Sequence, residues 1–168
     1  MYKKLYIESI FLIILGIITS LSLPPFNYLI INFFTFTLLF VFLIKKTNEP
    51  KNAKLSFFYG WFFGFGYFIS NLYWISISLT FDQNFKFLIP LTIFLIPAFL
   101  AIFYGLISFL FLIVKPKKIL ISFLFFSLIF GILEFIRGSI LTGFPWNLIA
   151  YSFANHLEIL SITSITGT

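Results

Sequence analysis

Glu134 and Arg137 stand three residues apart at the end of a long apolar run. Opposite charges at that spacing share one side of a helix and can pair. An ionised group in hydrocarbon costs roughly 3 kcal/mol on insertion scales, so such residues face protein or a polar cavity. Two uses therefore compete. The pair neutralises itself and pins its helix near the interface, or it contacts a polar substrate, and a guanidinium fork suits a lipid phosphate. Directly after it, in Gly138-Ser-Ile-Leu-Thr-Gly-Phe-Pro-Trp-Asn147, Gly143 and Pro145 break the helix beside an indole. Irregular backbone at membrane depth is tolerated only where it is buried in protein or lines a wet cavity. Thr142, Gly143, Phe144, Pro145 and Trp146 thus join Glu134 and Arg137 as candidate substrate-binding residues. The plainer alternative makes Trp146 an interface aromatic.

Other chemistry lacks residues to carry it. The chain has no cysteine, so it offers no thiol nucleophile, disulfide or thiolate metal site. His156 and Glu158 have no second histidine or carboxylate at ligand spacing, and neither a metal nor a cofactor is expected. The expected catalytic set is empty.

The elements that must position these residues follow from composition. The 168 residues are 61% hydrophobic and 10% charged, against roughly a quarter charged in soluble domains. So small a globule has too little interior to hide that surface, which must face lipid. The net charge of +6 comes from lysines clustered between apolar runs rather than spread along a face. That pattern belongs to membrane topology, and nucleic acid is not an expected partner.

Five apolar stretches, at about 6–23, 28–44, 55–79, 87–114 and 119–136, reach or approach the roughly 20 helical residues that a bilayer core demands. A partial sixth begins at about 156. Strand alternation is absent, so the expected fold is all-α, a polytopic transmembrane bundle forming one domain over 1–168. With Met1 in the cytoplasm, Lys3, Lys4, Lys45, Lys46, Lys51, Lys54, Lys115, Lys117 and Lys118 fall inside, leaving Lys86 and Arg137 near the outer side. A cleaved signal peptide is a weaker reading of the first stretch, which exceeds the usual h-region and runs into Pro24-Pro25. Pro90 and Pro97 predict a kinked or tilted fourth helix. On the third, Ser56, Gly60, Gly64, Tyr67 and Asn71 share a face expected to pack against protein.

Four segments together carry a family resemblance. They are Leu21-Ser-Leu-Pro-Pro-Phe-Asn27, the Gly60 to Phe68 run leading to Asn71-Leu-Tyr-Trp-Ile75, Glu134-Phe-Ile-Arg-Gly138, and Leu141-Thr-Gly-Phe-Pro-Trp-Asn147. In order and spacing the chain resembles bacterial apolipoprotein N-acyltransferase over essentially its whole length. The resemblance implies an inner-membrane domain and a reaction that moves an acyl chain from a phospholipid, through a cysteine thioester, to the N-terminal amine of a diacylglyceryl-cysteine apolipoprotein. The partners it implies are that phospholipid donor and that apolipoprotein acceptor. Covalent catalysis of this kind needs an activated thiolate. In the family a nitrilase-like domain supplies it with Lys and Glu partners, and this chain, ending a few residues into the sixth stretch, has no such domain. Glu134 does not stand in for the missing glutamate. The expectation is a truncated membrane domain, inactive alone, completed by a separate polypeptide carrying the nitrilase-like domain. A non-catalytic membrane remnant is the alternative, as is a small transporter component, although no inverted repeat supports the latter.

The lysine asymmetry gives a direct test. A phosphatase that folds only outside the cytoplasm should be inactive when fused after Asn48 and active when fused after Gln83; the reverse pattern would invert the topology.

Overall fold

The computed structural model describes residues 2–48, 52–114, 116–140, 147–156 and 158. Among them the chain is helical and contains no strand. Four long helices are α1 (Tyr2–Ser20), α2 (Ile30–Thr47), α3 (Ala53–Leu72) and α5 (Ile89–Val114), with a short α4 (Ile75–Ser78) between the last two. The fifth long helix is α6 (Ile119–Ile140), and 3-10 turns cover Gln83–Leu88 and Ile149–Phe153. The stretches Ile30–Thr47, Gln83–Val114 and Ile119–Ile140 are long and apolar enough to cross a membrane. Helices α1 and α3 have 19 and 20 residues, but α1 carries Lys3, Lys4 and Glu8, and the apolar run of α3 is interrupted by glycine, tyrosine and tryptophan as well as Lys54 and Asn71. The start of the sixth stretch lies almost wholly outside the described residues.

Lipid tails are as apolar as leucine, so helices associate in a bilayer through close packing and polar contacts rather than hydrophobicity. Helix α3 supplies both. A Cβ on Gly66 would run into the Ile13 carbonyl of α1, and one on Gly16 into the Phe63 carbonyl of α3. On the other side a Cβ on Gly60 would meet the Tyr104 carbonyl of α5. The backbones of α1, α3 and α5 therefore touch directly. Ser108 of α5 reinforces this, its hydroxyl accepting from the Gly60 amide at 2.9 Å and donating to the Ser56 carbonyl. The Trp61 indole donates to the Ala98 carbonyl at 3.0 Å, binding α3 to α5 a second time.

Beyond small shifts at helix ends, apolar stretch and helix differ most in the third, fourth and fifth stretches. The third stretch is interrupted after Leu72, where the Asn71 amide donates to the Tyr67 carbonyl at 3.0 Å. A side-chain amide there competes with the helix's own ladder. In the fourth, a 3-10 turn precedes a helix that accommodates Pro97 in its interior. The sixth helix runs to Ile140, about a turn beyond Ile136, so Arg137 sits within regular helix instead of at its exit.

One end of the bundle, where α1 begins and α2 finishes, carries an ion pair between elements. Lys46, with 6% of its side chain exposed, places Nζ 2.8 Å from Glu8 Oε1. The same ammonium lies over the Phe42 and Tyr59 rings, and the Tyr59 hydroxyl donates to Glu8 Oε2 at 3.3 Å. Three helices meet on two charges.

Backbone contact at Gly66 makes a methyl group there costly. Gly66→Ala should lower stability in detergent by about 2–3 kcal/mol, the upper range for overpacking. Gly138→Ala, whose Cβ would meet a flexible Leu148 methyl at 3.2 Å, should change it by less than about 1 kcal/mol, because helix propensity offsets the contact. Thermal unfolding of the two variants side by side distinguishes these outcomes.

Candidate functional site

At the other end of the bundle the Arg137 side chain is fully buried, at 0% exposure. Its Nη2 lies 2.8 Å from Glu134 Oε1 and 3.0 Å from Oε2, and its Nε donates to Oε1 at 3.2 Å. The guanidinium also covers the Phe68 ring at 4.9 Å. This is the i,i+3 pair whose spacing the sequence displays. The guanidinium fork faces a carboxylate and an aromatic ring.

The pair reaches beyond its own helix. Glu134 Oε2 accepts from the Ile149 amide at 3.1 Å, while the Asn147 carbonyl accepts from Arg137 Nη2 at 3.4 Å. The Tyr67 hydroxyl of α3 donates to the same Asn147 carbonyl at 2.9 Å. Three bonds thus clamp the 147–149 turn against α6 and α3. Asn147 adopts φ 47°, in the left-handed region that asparagine enters more readily than most residues. Thr142, Gly143, Phe144, Pro145 and Trp146 lie outside the described residues, directly ahead of the clamped turn.

Beside the clamp is a cleft of about 460 Å³. Pro24, Pro25 and Phe26 form one wall, Asn71, Tyr73 and Trp74 another, and Asn147, Tyr151 and Ala154 a third. Ser20, Leu23 and Ser70 complete the lining. Amides and hydroxyls stand here among apolar surfaces, as a ligand with a polar head and an oily body requires. Burial pushes the Tyr151 phenol up from its ordinary value, against the opposing Arg137 charge, so the hydroxyl stays protonated at physiological pH. The 168 residues contain no cysteine, so the cleft is lined by no thiol.

The spacing of Glu134 and Arg137 predicts their pairing, whereas Asn71, assigned by spacing to a packing face of α3, lines the cleft together with Trp74. Their common motif with Tyr73 was the available signal. Ser20 and Tyr151 gave none, because nothing local marks a hydroxyl as facing a cleft formed by distant segments.

An all-α membrane protein with a partly polar cleft at a helix-bundle end, among the described residues, is the class these features define. Residues 15–168 match the model of the apolipoprotein N-acyltransferase N-terminal domain, and the chain belongs to that family. It is 39% identical to an apolipoprotein N-acyltransferase of Rhizobium rhizogenes over 86% of this chain and 28% of that protein. With those of Agrobacterium fabrum and Rickettsia prowazekii the identity is 35% and 37%, over 94% and 97% of this chain and 32% of each relative. The chain thus spans about a third or less of the curated relatives it matches.

The clamp predicts unequal effects of removing two phenols. Tyr67→Phe should cost about 1 kcal/mol, the worth of one net hydrogen bond. Tyr73→Phe, at a residue 60% exposed, should leave unfolding in detergent unchanged. Equal effects would deny the clamp.

Proposed function

We propose that this chain is the membrane platform of an apolipoprotein N-acyltransferase, crossing the bacterial inner membrane five times, with a sixth span starting at about residue 156 and the N-terminus in the cytoplasm. The cleft then faces the outer side and receives the phospholipid acyl donor and the diacylglyceryl-cysteine end of the apolipoprotein. One observation carries this reading. Residues 23–26, Asn71, Tyr73, Trp74 and Asn147, which belong to separate motifs of the family resemblance, all line the same cleft.

Roles divide by position. Glu134 and Arg137 are positioning residues, because their charges are spent on each other and on the 147–149 turn. Their effect is to fix the exit of the preceding segment, so that Thr142, Gly143, Phe144, Pro145 and Trp146 meet substrate. Placing the donor ester beside a nucleophile is worth much of an acyl-transfer barrier even without covalent participation. The thiolate must come from outside these 168 residues, since they contain no cysteine. A nitrilase-like domain with its Cys, Lys and Glu, joined in cis or carried on a separate polypeptide, fits that need.

The test uses the complete acyltransferase containing this segment, reconstituted in proteoliposomes with acyl-labelled phospholipid and a diacylglyceryl-cysteine peptide. Asn71→Ala and Trp74→Ala should each lower kcat/KM at least tenfold, and the 168-residue chain alone should transfer no acyl group. Rates unchanged by both substitutions would refute the cleft as substrate site.

A further inference from the structure

Helices α3 and α5 are held together by the backbone contact at Gly60, the close approach at Gly64 and the bonds of Ser108 to Gly60 and Ser56. Toward the start of α3 a single ring takes over. Phe57 lies on Gly105, where a Cβ would come within 2.6–2.9 Å of the ring carbons. Beside that ring is a groove of about 320 Å³ lined by Ala53, Lys54, Phe57, Leu106 and Phe109. One turn of helix, taken as a cylinder about 10 Å wide and 5.4 Å long, fills roughly 400 Å³. The groove therefore suits a thinner chain than a helix.

Its one charged lining residue is what selects the occupant. Lys54, in the first turn of α3, is exposed and pairs with no carboxylate among the described residues. The segments that flank this end of the bundle, residues 1–8, 45–54 and 115–118, hold nine lysines and two glutamates. Of those two, Glu8 is already committed to the buried Lys46 at 2.8 Å. Counter-charge for Lys54 must come from outside the chain. Long lysine side chains near helix ends lay their methylenes along apolar surface and raise the ammonium to headgroup level, and basic pockets between membrane helices on the cytoplasmic side suit anionic headgroups.

We propose that this groove seats an acyl chain of an anionic phospholipid of the cytoplasmic leaflet, with the lipid phosphate on the Lys54 ammonium. The leaflet rests on the topology proposed above. A zwitterionic headgroup brings its own cation to its phosphate, so a lysine at the rim favours a lipid with net negative charge. Apolar walls of Phe57, Leu106 and Phe109 take the chain. The site lies at the end of the bundle opposite the substrate cleft, so this lipid is not the acyl donor. It fills the space between α3 and α5 beyond their direct contact and is not consumed.

Native mass spectrometry of the complete protein, released from detergent containing equal phosphatidylglycerol and phosphatidylethanolamine, reads the site directly. The unmodified protein should retain phosphatidylglycerol in preference. Lys54→Gln should lower that retention about fivefold, the worth of one cation at a membrane surface, and Leu106→Trp, which fills the groove, should lower it at least as much. Lys45→Gln, at an exposed lysine of α2 outside the groove, should change it little. Equal retention of the two lipids by the unmodified protein would overturn the proposal, as would equal losses from Lys54→Gln and Lys45→Gln, which would assign binding to the basic surface at large. Should Leu106→Trp fail to fold, the comparison of the two lysine variants decides. None of these readouts depends on acyl transfer or on which way this end faces, and the fusion after Asn48 decides the leaflet separately.

Discussion

A guanidinium with no exposed surface, in a bundle whose outside is hydrocarbon, cannot persist without its counter-charge. Arg137 has Glu134 for this, at 2.8 Å through Nη2, and the organisation of one end of the molecule follows from that pairing. A buried ion pair is weak evidence for net stability, because desolvation offsets attraction, but breaking one is costly. Its contribution here is geometric. The arrangement of α6, the 147–149 turn and Tyr67 satisfies both charges, the Ile149 amide and the Asn147 carbonyl together. The cleft wall at Asn147 and Tyr151 inherits that arrangement.

The two ends of the bundle use charge in the same way. Lys46 and Glu8 tie α1 to α2 and draw in Tyr59 of α3, as Arg137 and Glu134 tie α6 to the turn and draw in Tyr67 of α3. Between these ends α3 is held by glycine contacts to α1 and α5 and by the hydroxyl of Ser108. Helices α1, α3 and α5 form a tight hub. Helix α6 joins it through aromatic contacts and its ion pair rather than through any backbone contact at Gly131.

Much of this was legible in the amino-acid order, for physical reasons. Apolar run length reports helices because lipid leaves the backbone no other option. The Ser56, Gly60, Gly64 and Tyr67 face is the one α5 covers, since spacings of three and four survive folding unchanged. Glu134 and Arg137 announced their pairing by separation alone. Lys46 did not: counted as one of the cations that follow the second stretch, it is in fact turned inward onto Glu8, a partner 38 residues away that no local pattern names. Asn32, an amide inside an apolar run, was an overlooked sign of a polar contact at depth. The cleft was hidden for the same reason as the Lys46 pair, because it is made by segments that only the assembled bundle brings together.

The account rests on Glu134 and Arg137 acting as one unit, and a double-mutant cycle measures that. Unfolding of the purified chain in mild detergent would be compared for Glu134→Gln, Arg137→Met and the double variant. Each single substitution should cost about 3–5 kcal/mol by leaving a buried group unpaired, and the double should cost less than the sum by 2 kcal/mol or more, near the upper range for coupled neighbours. Strictly additive losses, or singles no worse than a surface substitution, would contradict it.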